Sequence, residues 1–207
     1  MKVLLLNGGP HEKGCTFTAL SEVAKSLAEC GVESEIVWIG TGPVRGCIGC
    51  GGCAGTGRCA FGDDALNGIL AKAEAADGLI VGSPVHYAAA AGAVSSLLDR
   101  MFTAIPEKLA YKPAACVVSC RRGGASATFD ELNKYFTINR MPVVASQYWN
   151  SVHGSCAEDV LKDEEGLQIM RVLGRNMAWL LHCIEAGRAA GVPMPQQEEH
   201  LWTNFIR

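Results

Sequence analysis

Five times along this chain a short apolar run gives way to a stretch whose apolar residues recur at helical spacing. That alternation constrains the fold more than any other feature. Lys2–Leu6, Gly78–Val81 and Ala114–Ser119 are continuous apolar runs, the pattern of strands covered on both faces. Glu35–Ile39 alternates before turning apolar, and Pro142–Ser146 opens a fifth strand. Between the strands, Thr16–Glu29 sets Leu20, Val23, Ala24 and Leu27 on one helical face and stops at Gly31. Asp63 and Asp64 cap a helix reaching about Ala76. Ala89–Met101 gathers Leu97, Leu98 and Met101, Phe129–Phe136 forms another helix, and Asp159–Glu185 is a long final one. The pattern predicts an α/β, doubly wound, five-stranded parallel sheet with helices on both faces.

A chain of 207 residues, 49% of them apolar, suffices for one domain with its own core. We expect that domain to span residues 1–187, with a cysteine-rich insertion at 46–62 and a tail at 188–207. The tail ends in LWTNFIR; it either packs on its own domain or reaches over a partner subunit. A net charge of −3 leaves no basic footprint for nucleic acid. No run approaches the roughly 20 apolar residues that span a bilayer, and MKVLLLNGGP lacks the features of a secretion leader. The expectation is a cytoplasmic protein without a membrane partner, whose 10 cysteines are reduced thiols or metal ligands.

In such sheets ligands bind beyond the carboxyl ends of the strands, so the loops there are the candidate site. The first, NGGPHEKGCTFT, occupies residues 7–18. A helix N-terminus at that point offers free N–H groups to an anion. Gly9 and Gly14 have the spacing of a triphosphate loop, but Cys15 stands where that loop needs lysine, and G-x-G-x-x-G is absent. What remains suits a single phosphate monoester, as on FMN, held by Pro10, His11, Gly14, Cys15, Thr16 and Thr18. The alternative is that the glycines only make a tight turn. After the third strand Pro84, Val85, His86 and Tyr87 offer a wall for a planar ring. After the fourth, Ser119 precedes Gly123 and Gly124, which let backbone approach a ligand. After the fifth come Trp149, Asn150 and His153.

The segment GCIGCGGCAGTGRC places Cys47, Cys50, Cys53 and Cys59 in C-x2-C-x2-C-x5-C spacing. The ferredoxin run is C-x2-C-x2-C-x3-C-P, whose last cysteine serves another cluster. The longer final spacer here allows all four thiolates to ligate one [4Fe–4S] cluster. Zinc, a thiol/disulfide switch, and a loop that holds no metal remain open.

Taken together, GGPHEKGCTFT (8–18), GCIGCGGCAGTGRCAFGDD (46–64), GSPVHYAAAAGAVSSLLDR (82–100) and the glycine loop at 119–128 resemble the flavodoxin-like NAD(P)H-dependent FMN reductases, in particular their iron–sulfur flavoprotein branch. The resemblance extends to about residue 185. It implies strand order 2-1-3-4-5 and FMN as cofactor, with its phosphate on the first loop and its ring against the loop after the third strand. It implies NAD(P)H as hydride donor to a flavin, quinone or other small acceptor, and a homodimer or higher homo-oligomer. The alternative within it is an electron-transfer protein that serves a protein acceptor. Two departures stand out: the family's Gly-Ser-Pro-Arg has Gly9 and His11 here, and His86 replaces its tyrosine. A looser or pH-sensitive hold on FMN follows from the first. No side chain is assigned as catalytic, since hydride transfer to a flavin requires no acid or base.

Overall fold

The computed structural model describes residues 1–206. The chain order is β1 (Lys2–Asn7), α1 (Cys15–Glu29), β2 (Glu33–Trp38), α2 (Leu66–Ala75), β3 (Gly78–His86), β4 (Ala89–Ala90), α3 (Gly92–Ala104), α4 (Pro106–Leu109), β5 (Ala114–Cys120), α5 (Ala125–Ile138), β6 (Ser151–His153), α6 (Ala157–Val160) and α7 (Glu164–Ala189). The parallel strands lie in the order β2-β1-β3-β5-β6, and β4 pairs antiparallel with β3. In order of appearance the parallel strands run 2-1-3-4-5, as expected. No helix among the described residues is long and apolar enough to cross a membrane.

Why this sequence makes two covered faces is visible in β1. Side chains alternate across a strand, so Val3 and Leu5 enter the core with α1 and α7, while Leu4 and Leu6 enter the core with α2, α3 and α5. Each of these leucines is at most 2% exposed, and full burial of one contributes about 1.5–3 kcal/mol. On one face Ala19, Leu20, Val23 and Leu27 of α1 meet Ile169, Met170, Leu173 and Met177 of α7. On the other, Leu66, Ile69 and Leu70 of α2 join Leu97, Leu98 and Met101 of α3 and Leu132 and Phe136 of α5.

Several expected boundaries move: β3 runs on to His86, α5 starts at Ala125 rather than Phe129, and α2 starts at Leu66, past Asp63 and Asp64; three further shifts have a clear local reason. Pro142–Ser146 does not run on as the fifth strand. Val143 makes one isolated parallel bridge to Ala114, and regular pairing resumes only at β6, where Ser151 faces Val118. The step from Val143 to Ser151 is longer than the step from Ala114 to Val118, and the surplus residues loop out with Tyr148 and Trp149 exposed. The helix expected from Ala89 starts at Gly92, because Ala89–Ala90 folds back on Val85–His86 as a hairpin. Its two central residues, Tyr87 and Ala88, have φ of 52° and 61°, which a two-residue hairpin turn demands. The last helix begins at Glu164 rather than Asp159, because the Asp163 carboxylate accepts the Gly166 N–H at 2.9 Å and caps it there.

Candidate functional site

Between β1 and β3 the chain reverses its direction of travel across the sheet, and a cavity of about 320 Å³ opens beyond the strand ends there. Its shape is set by the loop after β1. The Asn7 side chain, fully buried, donates to the Glu12 carbonyl at 2.8 Å and accepts the Gly9 N–H at 3.0 Å. The indole of Trp38, at the end of β2, donates to the Gly9 carbonyl at 2.8 Å. Gly8 donates to the Gly82 carbonyl at 2.9 Å. A Cβ at Gly8 would lie 2.1 Å from Val94 Cγ2 and 2.7 Å from that carbonyl. Only glycine lets the loop run so close to β3.

The loop delivers the chain to α1 with no side chain capping the helix and no acidic residue in its first turn. The amides of Cys15, Thr16 and Phe17 find no backbone acceptor, so the positive end of the helix faces the cavity. Thr16 and Ser119, both nearly buried, hold their hydroxyls 2.9 Å apart. Two hydroxyls carry two protons and their mutual bond uses one, which leaves one to donate to a ligand. Arg121 adds a cation at the rim, and no carboxylate lines the cavity. The lining thiols of Cys15 and Cys120 have pKa values raised chiefly by burial, so they stay neutral. Donor amides, a hydroxyl proton and a guanidinium, with the nearest carboxylate, Asp159, behind the lining and accepting the Ser155 N–H at 3.0 Å, form a cradle whose chemistry fits a phosphate ester.

The expected residues divide. Pro10, His11, Gly14, Cys15, Thr16, Pro84, Val85 and Ser119 line the cavity. Thr18 does not; its hydroxyl donates to the Gly14 carbonyl one turn back at 3.1 Å. His86 and Tyr87 sit at the exposed hairpin instead of forming an enclosed wall, with Tyr87 wholly exposed. Gly123 meets nothing a side chain would disturb. Gly124, at φ +87°, caps α5, and a Cβ there would come within 2.8 Å of Ala88 Cα and Val85 Cγ1. It lets α5 press against the hairpin and does not line the cavity. Trp149 is 55% exposed, its ring centroid 5.0 Å from that of Tyr148, and it too lies outside the lining. The fifth-strand residues fare differently again. Asn150 is buried and its carbonyl accepts the Val118 N–H at 2.9 Å, while exposed His153 lies 3.6 Å from Asp163.

Sequence reasoning missed Gly9, Cys120, Arg121, Gly154 and Ser155 in the lining. Arg121 carried a usable signal: a cation directly after a buried strand, on the side where ligands bind. Gly154 and Ser155 carried none, because only pairing of β6 to β5 brings them there.

The four loop cysteines surround a second, smaller hollow of about 30 Å³, the size of one or two waters. All four are free thiols; Cys47 and Cys50 are exposed, Cys53 and Cys59 half-buried. Among the described residues no three metal-ligating side chains stand close enough to hold an ion. The expected ligand set is therefore grouped around one hollow but not drawn together. The left-handed glycines Gly49, Gly51, Gly55 and Gly57 and sparse backbone hydrogen bonding leave the loop open. In kind and number the donors fit a four-thiolate centre.

The family model described as NADPH-dependent FMN reductase matches residues 1–155. An iron–sulfur flavoprotein of Methanocaldococcus jannaschii is 30% identical over 196 residues, covering 89% of this chain and 100% of that protein. Among solved structures, RosB with a bound 8-demethyl-8-formylriboflavin-5'-phosphate intermediate superposes with a TM-score of 0.70 at 15% identity, over 100% of this chain and 94% of RosB. A flavodoxin from the domain Archaea gives 0.60 at 13% identity, over 88% of this chain and 99% of its own. The fold is flavodoxin-like.

Proposed function

We propose, from the premise that this chain belongs to the NADPH-dependent FMN reductase family and to its iron–sulfur flavoprotein branch, that it is a flavin oxidoreductase taking hydride from NAD(P)H and passing electrons to a small acceptor. The observation that carries this reading is the uncapped α1 N-terminus opening on a carboxylate-free cavity with the Thr16–Ser119 hydroxyl pair. The phosphate of FMN would be held by the Cys15, Thr16 and Phe17 amides, the free hydroxyl proton, and Arg121. Bound there, FMN supplies a group that accepts two electrons as hydride and can release them singly.

The rest is the protein's work. The loop braced by Asn7 and Trp38 fixes the phosphate. Pro84, which has no N–H, and Val85 form the apolar side of the cavity. The hairpin tip at Tyr87, open on this chain, suits a surface on which a nicotinamide stacks. Cys47, Cys50, Cys53 and Cys59 would hold a [4Fe–4S] centre, which supplies one-electron transfer. The exposed Leu201, Trp202, Phe205 and Ile206 of the tail suit contact with a second copy of this chain.

Quenching of FMN fluorescence by the apoprotein tests the cradle. Thr16→Val should weaken FMN binding by about tenfold, the loss of one charge-assisted hydrogen bond. Equal affinity of variant and wild type removes Thr16 from the site. Anaerobic stopped-flow mixing of the FMN-loaded protein with NADPH and NADH should bleach the flavin. If neither nucleotide does so, the protein is an electron carrier and the reductase reading fails.

A further inference from the structure

Arg100 is buried, only 2% exposed, yet every partner of its guanidinium belongs to the segment from Arg45 to Asp64. It sits on α3, whose neighbouring residues Leu97, Leu98 and Met101 point into the core. Its Nε donates to Cys59 Sγ at 3.2 Å, and Nη1 donates to the Arg45 carbonyl at 3.3 Å and to the Asp64 carboxylate. Nη2 donates to the Phe61 carbonyl at 3.4 Å. The Arg100–Asp64 pair is almost wholly removed from water, with side chains 1% and 6% exposed. Arginine's planar fork suits such multiple contacts, and lysine could not reproduce them. Cys59 is braced a second time, because Asn67 accepts its N–H at 2.9 Å and donates to its carbonyl at 3.1 Å. Cys47 and Cys50 have no such support and stay exposed.

We propose that Arg100 is a positioning residue of the four-thiol site: clamped by Asp64, it docks the cysteine loop on α3 and sets a buried positive charge against Cys59. Cys59, beside Cys53 whose Sγ donates to the Thr103 carbonyl of α3 at 3.8 Å, is thereby the fixed corner on which Cys47 and Cys50 close. This rests on the cluster reading given above. A cluster with four thiolates is anionic and gains negative charge on reduction. Arg100 and Asp64 together carry no net charge, but the pair turns its positive end to Cys59, where Nε donates to Sγ; that donor therefore favours the reduced state, because charge and hydrogen bonds at the sulfurs set the potential. Removing Arg100 alone would also strand the Asp64 carboxylate in a buried place, so the paired change D64N/R100M is the cleaner probe.

The full chain, wild type and the variants R100K, R100M and D64N/R100M, is examined first as apoprotein by hydrogen exchange. The hydrogen-bonded amides of the cysteine loop, those of Ala54, Gly57 and Cys59, should exchange roughly tenfold faster or more in both Arg100→Met proteins, while those of β1 and β5 are unchanged. The proteins are then reconstituted without air using ferrous iron and sulfide, and titrated by EPR and visible absorbance. R100M and D64N/R100M should reduce at more negative potential than wild type, with R100K between them. A merely structural role would leave the potential of whatever cluster assembles unchanged. Unaltered loop exchange overturns the clamp, and an unaltered potential overturns the electrostatic role. Wild-type protein that takes up neither iron nor sulfide overturns the cluster reading, and with it the role of the charge. Loop exchange in the apoprotein still decides the clamp by itself.

Discussion

A methyl group added at Gly8 has no room: it would overlap Val94 Cγ2 and the Gly82 carbonyl. Gly8→Ala must push the first loop off β3, an overpacking that costs about 1–3 kcal/mol or more. The expected result is a lower urea midpoint together with weaker FMN retention, since the same loop aims α1 at the cavity. Glu35 poses a different residue-level question. Hydrogen bonds from Lys2 and Lys72 hold its carboxyl pKa below the usual carboxylate range, against a smaller opposing effect of burial. A lowered folded-state pKa gives stability that is present above the unfolded value and lost as pH falls through the folded one. Glu35→Gln should therefore be less stable than wild type at neutral pH. The difference should shrink below about pH 4.5, as chemical denaturation at several pH values would show. The buried Asn7 illustrates what a sequence hides at this scale. Written next to two glycines it reads as a turn residue, and its two hydrogen bonds to the loop appear only in three dimensions.

Among elements, the most extensive contact between helices is that of α1 with α7. It depends on Gly174, where a Cβ would meet Ser26 Cβ at 2.7 Å and the Val23 carbonyl at 2.9 Å. Ser26 meanwhile donates to the Arg171 carbonyl of α7 at 2.7 Å. Gly174→Ala gains helix propensity of about 1 kcal/mol, but it must separate two helices whose contact atoms include backbone. We expect a net loss of thermal stability with FMN affinity little changed, measured by calorimetry and fluorescence titration. Elements were legible where burial alone shapes them: β1, β3 and β5 read directly as covered strands. They were misread where a tertiary partner overrides the local pattern. Pro142–Ser146 has strand composition, but only Val143 bridges β5 before the chain loops out. Ala89–Ala90 continues the helix composition of α3 yet pairs with β3, because Tyr87 and Ala88 turn the chain through left-handed conformations.

For the whole molecule, the tail is the open surface. Gln197 reaches Arg140 Nη1 at 3.2 Å and the Tyr111 hydroxyl, whereas Leu201, Trp202, Phe205 and Ile206 are at least 81% exposed. If these side chains meet a second copy, a chain ending at Ala190 should sediment as a smaller species than the full chain at equal concentration. An unchanged sedimentation coefficient beyond the lost mass would remove the tail from assembly. The sequence by itself determined the alternation of strand and helix, hence a parallel sheet with two covered faces, and it placed the candidate ligand loops at the carboxyl ends of the strands. It also displayed the four thiols. Periodicity reports burial, and burial is a local record of which side a residue faces. Contacts between distant segments leave no such record. The Thr16–Ser119 hydroxyl pair, the entry of Arg121, Gly154 and Ser155 into the cavity, and the hold of Arg100 on Cys59 were decided only when the sheet order and the packing of α3 brought those residues together.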